Sequence, residues 1–368
     1  RVYKPDENVQ GEVVADGKTI VTLFDTYGNA LARFEGGKFS FPLSGVRTPN
    51  ARLLVELLSE NGKVRDKVYK RIEKYAAPDP RIFNISWGWP GYSSLAPAYL
   101  INDILRMDKE QYGITVASTT SSQVDQPFVQ NAIRDNGIRY HHLSTTAGIG
   151  GKRPFDVNKK INSKFDLIRI PCLSEEGIEE RLFQEAKKPS WAAKYGALNI
   201  GGPDEANMFS GFDGCFCENC QKALIEYLKT EYPSLAALNK AWETSFDSWD
   251  KVVARTASEV REDGCKSFAS WLDHRTFNDI SRAKCLCAIQ RGIHAQNPEL
   301  GYSLSGTSET NPWNAWDWYL IMDELYAFSS YIGEQTIQQL SFTKRPIKNM
   351  PWSGYDKAQD SEDYSMLN

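Results

Sequence analysis

The sequence predicts an α/β barrel built on a parallel sheet and preceded by a small β-sandwich. The 368 residues are enough for a barrel of roughly 250 residues and one smaller module. Short strands separated by glycine and asparagine turns are predicted in residues 1–75, whereas strands and helices alternate in residues 81–368. Between these regions, residues 76–80 contain two prolines. These disfavour both helix and strand pairing, and so they predict a linker.

The first 75 residues have the pattern of a β-domain. Strands are predicted at Lys18–Leu23, Ala30–Glu35 and Arg52–Ser59, where apolar residues run together or alternate. Glycine-containing turns at residues 16–17, 27–29 and 36–37 separate them. Short strands joined in this way are typical of a β-sandwich. The opening segment, residues 3–9, resembles the first strand of macroglobulin-type or immunoglobulin-like modules.

Seven segments of the second region are predicted as strands that line the barrel. They begin near residues 81, 114, 138, 197, 301, 326 and 345. The main helices are predicted near residues 96–107, 126–136, 175–187, 218–230, 234–242 and 260–296. An eighth strand has no room before residue 368. We therefore expect the sequence to be part of a longer chain, the alternative being an incomplete barrel.

The composition excludes two classes of partner. Lysine and arginine number 43 against 47 aspartate and glutamate, so the formal charge is −4, which gives no electrostatic footprint for nucleic acid. No apolar run approaches the roughly 18 residues of a membrane-spanning helix. Residue 1 is Arg rather than Met. Together with the β-module, this favours a periplasmic or extracellular protein, with a cytoplasmic location as the alternative.

Three cysteines lie within six residues, at Cys215, Cys217 and Cys220, just before a predicted helix. A tight turn presents such thiols to one point, and tetrahedral Zn²⁺ needs four thiolate or imidazole ligands. Cys172 is the best fourth donor, and four protein ligands would leave no open position for a substrate, which predicts a structural zinc site. The alternative is a group of reduced, partly buried thiols. The remaining cysteines belong to a long helical pattern and are predicted core thiols.

An acidic pair, Asp204-Glu205, directly follows the predicted strand at residues 197–201. In an α/β barrel the carboxyl ends of the strands carry the chemistry. A carboxyl group there can act as a general acid if its surroundings raise its pKa. The alternative is a solvated pair on a surface loop.

These features occur together in an order that resembles glycoside hydrolase family 42, the β-galactosidase type. The resemblance rests on Asp204-Glu205, the Cys-x-Cys-x-x-Cys turn and the Leu238-Asn239-x-x-Trp242 signature. It is close over residues 166–250 and loose over 81–368. It implies a (β/α)8 barrel of the TIM type, a retaining glycosidase and a trimer. It also implies Glu205 as the acid/base, and zinc ligands at Cys172, Cys215, Cys217 and Cys220.

The sequence departs from the family pattern at two points. Asp204 stands where the family has an Asn that hydrogen-bonds the sugar, and its charge would raise the pKa of Glu205. The glutamate expected at the end of the seventh strand as the nucleophile is absent. The nearest acids are Asp356 and Glu334. One of them replaces the nucleophile, or the enzyme inverts through a more distant base, or the barrel binds sugar without cleaving it.

Further candidates for substrate binding follow the strand ends. Trp89 and Trp352 are expected to stack on sugar faces, with Tyr331 and Asp204 in the same set, whereas core packing accounts for at least half of the tryptophans. The sequence therefore predicts a glycoside hydrolase that cleaves a β-galactoside or related β-glycoside by two-carboxylate chemistry. A degenerate barrel that binds glycans or acts as a scaffold is the alternative.

Overall fold

A computed structural model of the protein has a β-rich first part and a second part in which strands and helices alternate. It describes residues 2–3, 6–25, 28–46, 50–74, 86–87, 98–112, 115–120, 127–136, 138–143, 149, 160–187, 197–204, 208, 213–307, 311–325, 327–330, 334–345 and 347–349. The chain divides into two compact units, residues 1–143 with 189–200 and residues 144–188 with 201–368. The predicted linker at residues 76–80 lies outside the described residues, so the predicted domain boundaries stay a prediction.

Among the residues that the structure describes, seven strands form the β-rich part as two sheets. One sheet has the order β1-β7-β6-β3-β4, and the other pairs β2 with β5. The strands β3, β6 and β7 are antiparallel neighbours, as expected for short strands joined by turns. Their bounds are Val2–Tyr3 for β1, Asn8–Glu12 for β2, Lys18–Asp25 for β3, Ala30–Glu35 for β4, Lys38–Pro42 for β5, Asn50–Leu58 for β6 and Val64–Lys74 for β7.

The core of this part explains why the strands form where the sequence predicts them. Val21 and Leu23 of β3 are buried, and Leu23 lies opposite Leu53 of β6. Phe41 of β5 is buried in the same cluster, and its ring lies 6.2 Å from that of Phe34. Because apolar side chains of both sheets face one core, the arrangement is a β-sandwich, which confirms that prediction.

The second part contains a parallel sheet of seven strands, each close to a predicted position. The strand order follows the chain order from β8 to β14 without interruption. Parallel neighbours wound in chain order with helices between them are the arrangement of a (β/α) barrel, so the predicted fold class is confirmed. The bounds are Ser86–Trp87 for β8, Val116–Thr120 for β9, Arg139–Leu143 for β10, Ala197–Asp204 for β11, Gly301–Thr307 for β12, Ala327–Ser330 for β13 and Lys348–Asn349 for β14.

Nine α-helices occur among the described residues. None of them is both long and apolar enough to cross a membrane. Their bounds are Ala98–Tyr112 for α1, Pro127–Asp135 for α2, Ile178–Lys187 for α3, Glu218–Glu231 for α4, Leu235–Trp242 for α5, Ala257–Glu262 for α6, Ala269–Gln296 for α7, Trp318–Ile321 for α8 and Glu334–Ser341 for α9.

The single helix predicted over residues 260–296 is wrong, because the structure has two. The first, α6, begins with a capping box in which the Thr256 hydroxyl accepts from the backbone N–H of Glu259 at 3.1 Å. It ends before Gly264 and Cys265, whose φ angles are 70° and 58°. Two successive residues in the left-handed region cannot continue a right-handed helix, and α7 begins only at Ala269.

The long helix α7 is fixed to its neighbours by close packing and by a buried amide. A Cβ on Gly292 would overlap the carbonyl oxygen of Phe183 in α3 and lie 2.8 Å from Cβ of Ala186, so only glycine allows this approach. Gln290 accepts from the backbone N–H of Tyr302 at 2.7 Å and donates to the carbonyl of Leu300 at 3.3 Å. These contacts hold α7 against α3 and against the start of β12.

The half-buried carboxyl group of Asp279 in α7 should make stability depend on pH. Burial raises its pKa to about 7, and Asp317 adds to the shift, whereas Arg275 and Arg282 oppose it. Because this value exceeds that of an unfolded aspartate, about 3.9, the folded chain binds more protons between about pH 4 and pH 7. The ionised carboxylate therefore costs stability as the pH rises through that window.

We expect Asp279→Asn to raise the free energy of unfolding by about 1–3 kcal/mol at pH 8 and by much less at pH 4. Urea unfolding at both pH values measures this, with Asp250→Asn, at an exposed position, as the control. An equal effect of Asp279→Asn at both values would contradict the raised pKa.

Candidate functional site

The cysteine turn, residues 213–220, brings three thiols to the start of α4. Cys217 is the residue that caps α4, so Cys220 lies in the first turn of the helix. The backbone N–H of Phe216 donates to the carbonyl of Leu167 at 3.1 Å, and the N–H of Arg169 donates to Sγ of Cys215 at 3.4 Å. These bonds hold the turn beside the segment at residues 167–172, which carries the fourth cysteine.

Cys172, Cys215, Cys217 and Cys220 form a compact cluster of four sulfur atoms. All four lie within 4.8 Å of one another, and Sγ of Cys172 is 3.3 Å from Sγ of both Cys217 and Cys220. A disulfide needs about 2.05 Å, and all four are free thiols. Two thiolates on one tetrahedral metal with bonds of about 2.3 Å lie about 3.8 Å apart. The cluster could therefore hold a metal ion, and the predicted four residues are those that the structure brings together.

Hydrogen bonds among the sulfur atoms move their pKa values in opposite directions. The pKa values of Cys215 and Cys217 are lowered, most by the Cys172 thiol. The pKa of Cys172 is raised, most by Cys215, and that of Cys220 is raised, most by Cys172. The cluster alone thus favours thiolates beside protonated thiols. A bound metal cation would favour the ionised form of all four.

Backbone N–H groups and a buried cation surround these sulfurs. The N–H of Ser174 donates to Sγ of Cys172 at 3.4 Å, which adds to the bond from Arg169 to Cys215. Burial lowers the pKa of Arg169 to about 10, against the opposing effect of Cys285 and Cys215. The guanidinium therefore stays charged at neutral pH and offsets negative charge on the thiolates. It is anchored by its donation to the carbonyl of Pro171 at 2.6 Å.

A buried carboxylate, Asp213, fixes the first residue of the cysteine turn. It accepts from Nε1 of Trp271 at 2.8 Å and from the backbone N–H of Ala257 at 2.7 Å. The guanidinium of Arg275 lies 3.9 Å away, and both charged side chains are buried. Burial lowers the pKa of Arg275 to about 10, with Asp213 opposing the shift. The guanidinium of Arg275 therefore stays charged, and the hydrogen bonds to Asp213 link the turn to α6 and α7.

The next residue of the turn, Gly214, is held through its carbonyl oxygen. This oxygen accepts from Nη2 of Arg275 at 2.9 Å and from Nδ2 of Asn278 at 2.8 Å. One helical turn of α7 thus supplies both donors. The ring of Phe216 packs 4.5 Å from that of His274, which is fully buried. Burial lowers the pKa of His274, so this ring is neutral, and its Nδ1 can accept from Nη2 of Arg275 at 3.0 Å.

The Leu238-Asn239-x-x-Trp242 signature is explained by hydrogen bonds of its asparagine and tryptophan. The carboxamide oxygen of Asn239 accepts from the N–H of Phe246 at 3.0 Å, and its Nδ2 donates to the Phe246 carbonyl at 2.8 Å. Trp242 is buried, and its Nε1 donates to Asp273 of α7 at 2.7 Å. The asparagine closes the loop after α5, and the tryptophan attaches this helix to α7.

The acidic turn is described only up to Asp204, the last residue of β11. Gly202 in the same strand is required by β12, because a Cβ there would lie 2.5 Å from the hydroxyl of Tyr302. Glu334 is the first residue of α9, which follows β13. The roles predicted for Asp204 and Glu334 stay predictions. The other predicted catalytic and substrate-binding residues lie outside the described residues, namely Glu205, Asp356, Trp89, Trp352 and Tyr331.

Sequence reasoning missed the buried polar residues that hold the cysteine turn. Asp213, Arg275 and Asn278 are all buried. The signal for Arg275 and Asn278 was the helical spacing of polar side chains within a segment that also carries apolar ones, whereas Asp213 lies outside any helix and had no such signal. Two tryptophans that follow β12, Trp316 and Trp318, are buried and stacked with ring centroids 5.1 Å apart. These two rings therefore pack in the interior, the role predicted for at least half of the tryptophans.

Comparison with known proteins identifies the segment that carries these features. The family model Glyco_hydro_42, described as beta-galactosidase, matches residues 205–353. This segment, residues 205–353, is similar to glycoside hydrolase family 42 and is named the family 42 segment. Among curated proteins, the beta-galactosidase BgaP of Planococcus sp. (strain L4) is 36% identical over 111 residues, which are 28% of this chain and 16% of that protein. BgaA of Planococcus sp. (strain 'SOS Orange') is 38% identical over 87 residues, 22% of this chain and 13% of that protein.

The family 42 segment contains three of the four cysteines and the helices α4 to α9. Among solved structures, a beta-galactosidase from Rahnella sp. R3 is similar at 17% identity with a TM-score of 0.47. The similarity covers 68% of this chain and 38% of that chain. This chain matches the two Planococcus proteins over less than a fifth of their length. The resemblance to family 42 that the sequence predicted is confirmed.

Removal of the Asp213 carboxylate should destabilise the family 42 segment. Asp213→Ala takes the counter-charge from buried Arg275 and the acceptor from two donors, so we expect the free energy of unfolding to fall by about 3–5 kcal/mol. Asp213→Asn keeps one acceptor oxygen and should cost less. Urea unfolding of both variants measures the difference. Equal stability of Asp213→Ala and the unaltered chain would show that the network contributes nothing.

Proposed function

We propose that this chain is part of a glycoside hydrolase that cleaves β-galactosides. The observation that carries the proposal is the place of Glu205. It directly follows β11, the fourth strand of the parallel sheet, and it is the first residue of the family 42 segment. The carboxyl end of a barrel strand is where catalytic groups stand. The substrate class comes from the Planococcus relatives, which are named beta-galactosidases.

In this proposal Glu205 protonates the oxygen of the leaving group. The charge on the neighbouring Asp204 would disfavour ionisation of Glu205 and so keep its proton available near neutral pH. A second carboxylate then either attacks the anomeric carbon from about 5–5.5 Å or activates water from about 6.5–9.5 Å. Asp356 and Glu334 are the proposed candidates. Trp89, Trp352, Tyr331 and Asp204 are proposed to bind the sugar.

We further propose that the four-cysteine cluster holds a structural Zn²⁺. Four thiolates, N–H groups aimed at two of them and a nearby buried guanidinium suit a soft divalent cation. The ion would join the segment at residues 167–172 to the start of α4, and with four protein ligands it would take no part in the reaction. We also propose that the protein is exported, since a bound metal would protect the thiols in an oxidising compartment. The family resemblance suggests that it forms a trimer.

The zinc proposal predicts about one zinc per chain in freshly purified protein. Cys217→Ser removes a central ligand, so we expect loss of the metal and a lower melting temperature. Elemental analysis and thermal unfolding measure these quantities. Cys265→Ser is the matched control, because Cys265 lies outside the cluster and is exposed, so the prediction of a core thiol is wrong at this position. A metal-free preparation that is as stable as one supplied with zinc would contradict the proposal.

The hydrolase proposal predicts that Glu205→Gln lowers kcat/KM for an aryl β-galactoside by about 10²–10⁴-fold, the usual contribution of a general acid. The melting temperature should stay unchanged, because the substitution keeps the size of the side chain. Glu262→Gln, at an exposed position in α6, is the control and should keep full activity. Full activity of Glu205→Gln would refute the assignment.

Asp356→Asn and Glu334→Gln belong in the same assay. The variant that loses most activity identifies the second carboxylate. The anomeric configuration of the released sugar, read by NMR, then separates a retaining from an inverting reaction.

A further inference from the structure

Two of the four clustered sulfur atoms are more accessible to solvent than the others. Cys172 and Cys217 are half-buried, whereas Cys215 and Cys220 are buried. Sγ of Cys172 lies 3.3 Å from Sγ of Cys217, although the two residues are 45 positions apart in the chain. Because thiol oxidation depends on exposure as well as on ionisation, an oxidant from solvent reaches this pair first.

The two half-buried cysteines both lie outside regular secondary structure. Cys172 is in a segment that is neither helix nor strand, and Cys217 caps α4 with φ −69° and ψ 165°. Their sulfur atoms must approach by about 1.3 Å to reach the disulfide distance of about 2.05 Å. Rotation about χ1 moves a sulfur atom through a larger distance than this, so the bond can form without unfolding of the turn.

The two buried cysteines are held in place by further contacts. Cys220 lies in the first turn of α4, and its thiol donates to the hydroxyl of Ser174 at 3.4 Å. Sγ of Cys215 is buried and accepts from the backbone N–H of Arg169 at 3.4 Å. Sγ of Cys220 is also 3.3 Å from Sγ of Cys172, but its burial and its place within the helix disfavour a bond there. The arrangement thus favours the pair Cys172 and Cys217.

We propose that the cysteine cluster is a redox-sensitive site, in which a peroxide joins Cys172 to Cys217 as a disulfide when no metal is bound. One thiol is first oxidised to a sulfenic acid, which keeps one oxygen of the peroxide while the other leaves as water. The second thiol attacks that sulfur, the S–S bond forms and the remaining oxygen leaves as a second water. The pair loses two electrons and two protons, and one peroxide is consumed.

The disulfide would connect the same two parts of the chain as the proposed zinc ion, namely the segment at residues 167–172 and the cysteine turn. It would also remove two of the four thiolates, so the bond and a four-coordinate metal exclude each other. A thiol reductant reverses the bond by exchange. The pairing does not depend on the zinc proposal, since it requires only the two thiols and the oxidant.

Thiol counting and disulfide mapping test the proposal. Cys265→Ser is the parent chain, because this exposed thiol outside the cluster would react by itself. The parent has six thiols, one fewer than the seven of the sequence. After removal of metal and reductant, we expect hydrogen peroxide to leave four, and a non-reduced digest to contain the Cys172 and Cys217 peptides linked. Where the parent takes up zinc, oxidation should abolish the uptake, and dithiothreitol, removed before zinc is added, should restore it.

Two further variants separate the favoured pair from its neighbour. Cys220→Ser keeps both half-buried cysteines and should still give the linked peptides. Cys217→Ser should form no disulfide, because Cys220 is buried. Thermal unfolding before oxidation shows that each variant is folded. If these variants do not fold, the parent chain decides alone, by comparison with the same treatment in urea, where the unfolded chain should pair its thiols without this preference.

A folded, metal-free parent chain that keeps all six thiols, or that links Cys172 to Cys220 instead, would overturn the proposal. The same pairing at the same yield in urea would also overturn it, because the chain spacing rather than the fold would then direct the bond. None of these results changes the zinc content of freshly purified protein or its activity. The zinc and hydrolase proposals therefore stand or fall separately.

Discussion

The family 42 segment depends on the buried polar face of α7. Arg275, Asn278 and Arg282 are buried in this helix, and each of them donates to a backbone carbonyl of a loop rather than to another helix. Loop backbone has few partners of its own, so a buried loop needs such donors to avoid unsatisfied carbonyls. The charge of Arg275 is in turn offset by Asp213. The helix thus stabilises loops whose backbone is not paired with a strand.

The elements of the family 42 segment are therefore stabilised in two different ways. Strands β11 to β13 and the helices around them follow from apolar periodicity and would form in many barrels. The cysteine turn and the loop after β12 follow from individual hydrogen bonds, and one backbone oxygen can serve two donors, as at Asn314. The family signature belongs to the second kind, because Asn239 and Trp242 are required by their hydrogen bonds to Phe246 and Asp273.

The sequence predicted the elements that depend on local pattern. The seven barrel strands and the four-thiol cluster were found because apolar runs between turn residues and closely spaced cysteines are visible along the chain. The break between α6 and α7 was missed because the left-handed conformation of Cys265 is not encoded by its side chain. The buried charges of α7 were missed because polar residues at helical spacing usually face solvent. Which of them lie inside is decided by partners distant in the chain, such as Asp213.

The two loops that α7 serves are attached to it at residues only seven apart, Arg275 and Arg282. On a helix this is about two turns, or about 10 Å, and the hydrogen-bonded backbone between the two residues keeps this distance fixed. The cysteine turn is therefore not a portable module. Transplanting its cysteines into another barrel would carry over the thiols and leave behind the donors that shape the turn. An engineer who wished to move it would have to move α7 as well, and with it the loop after β12.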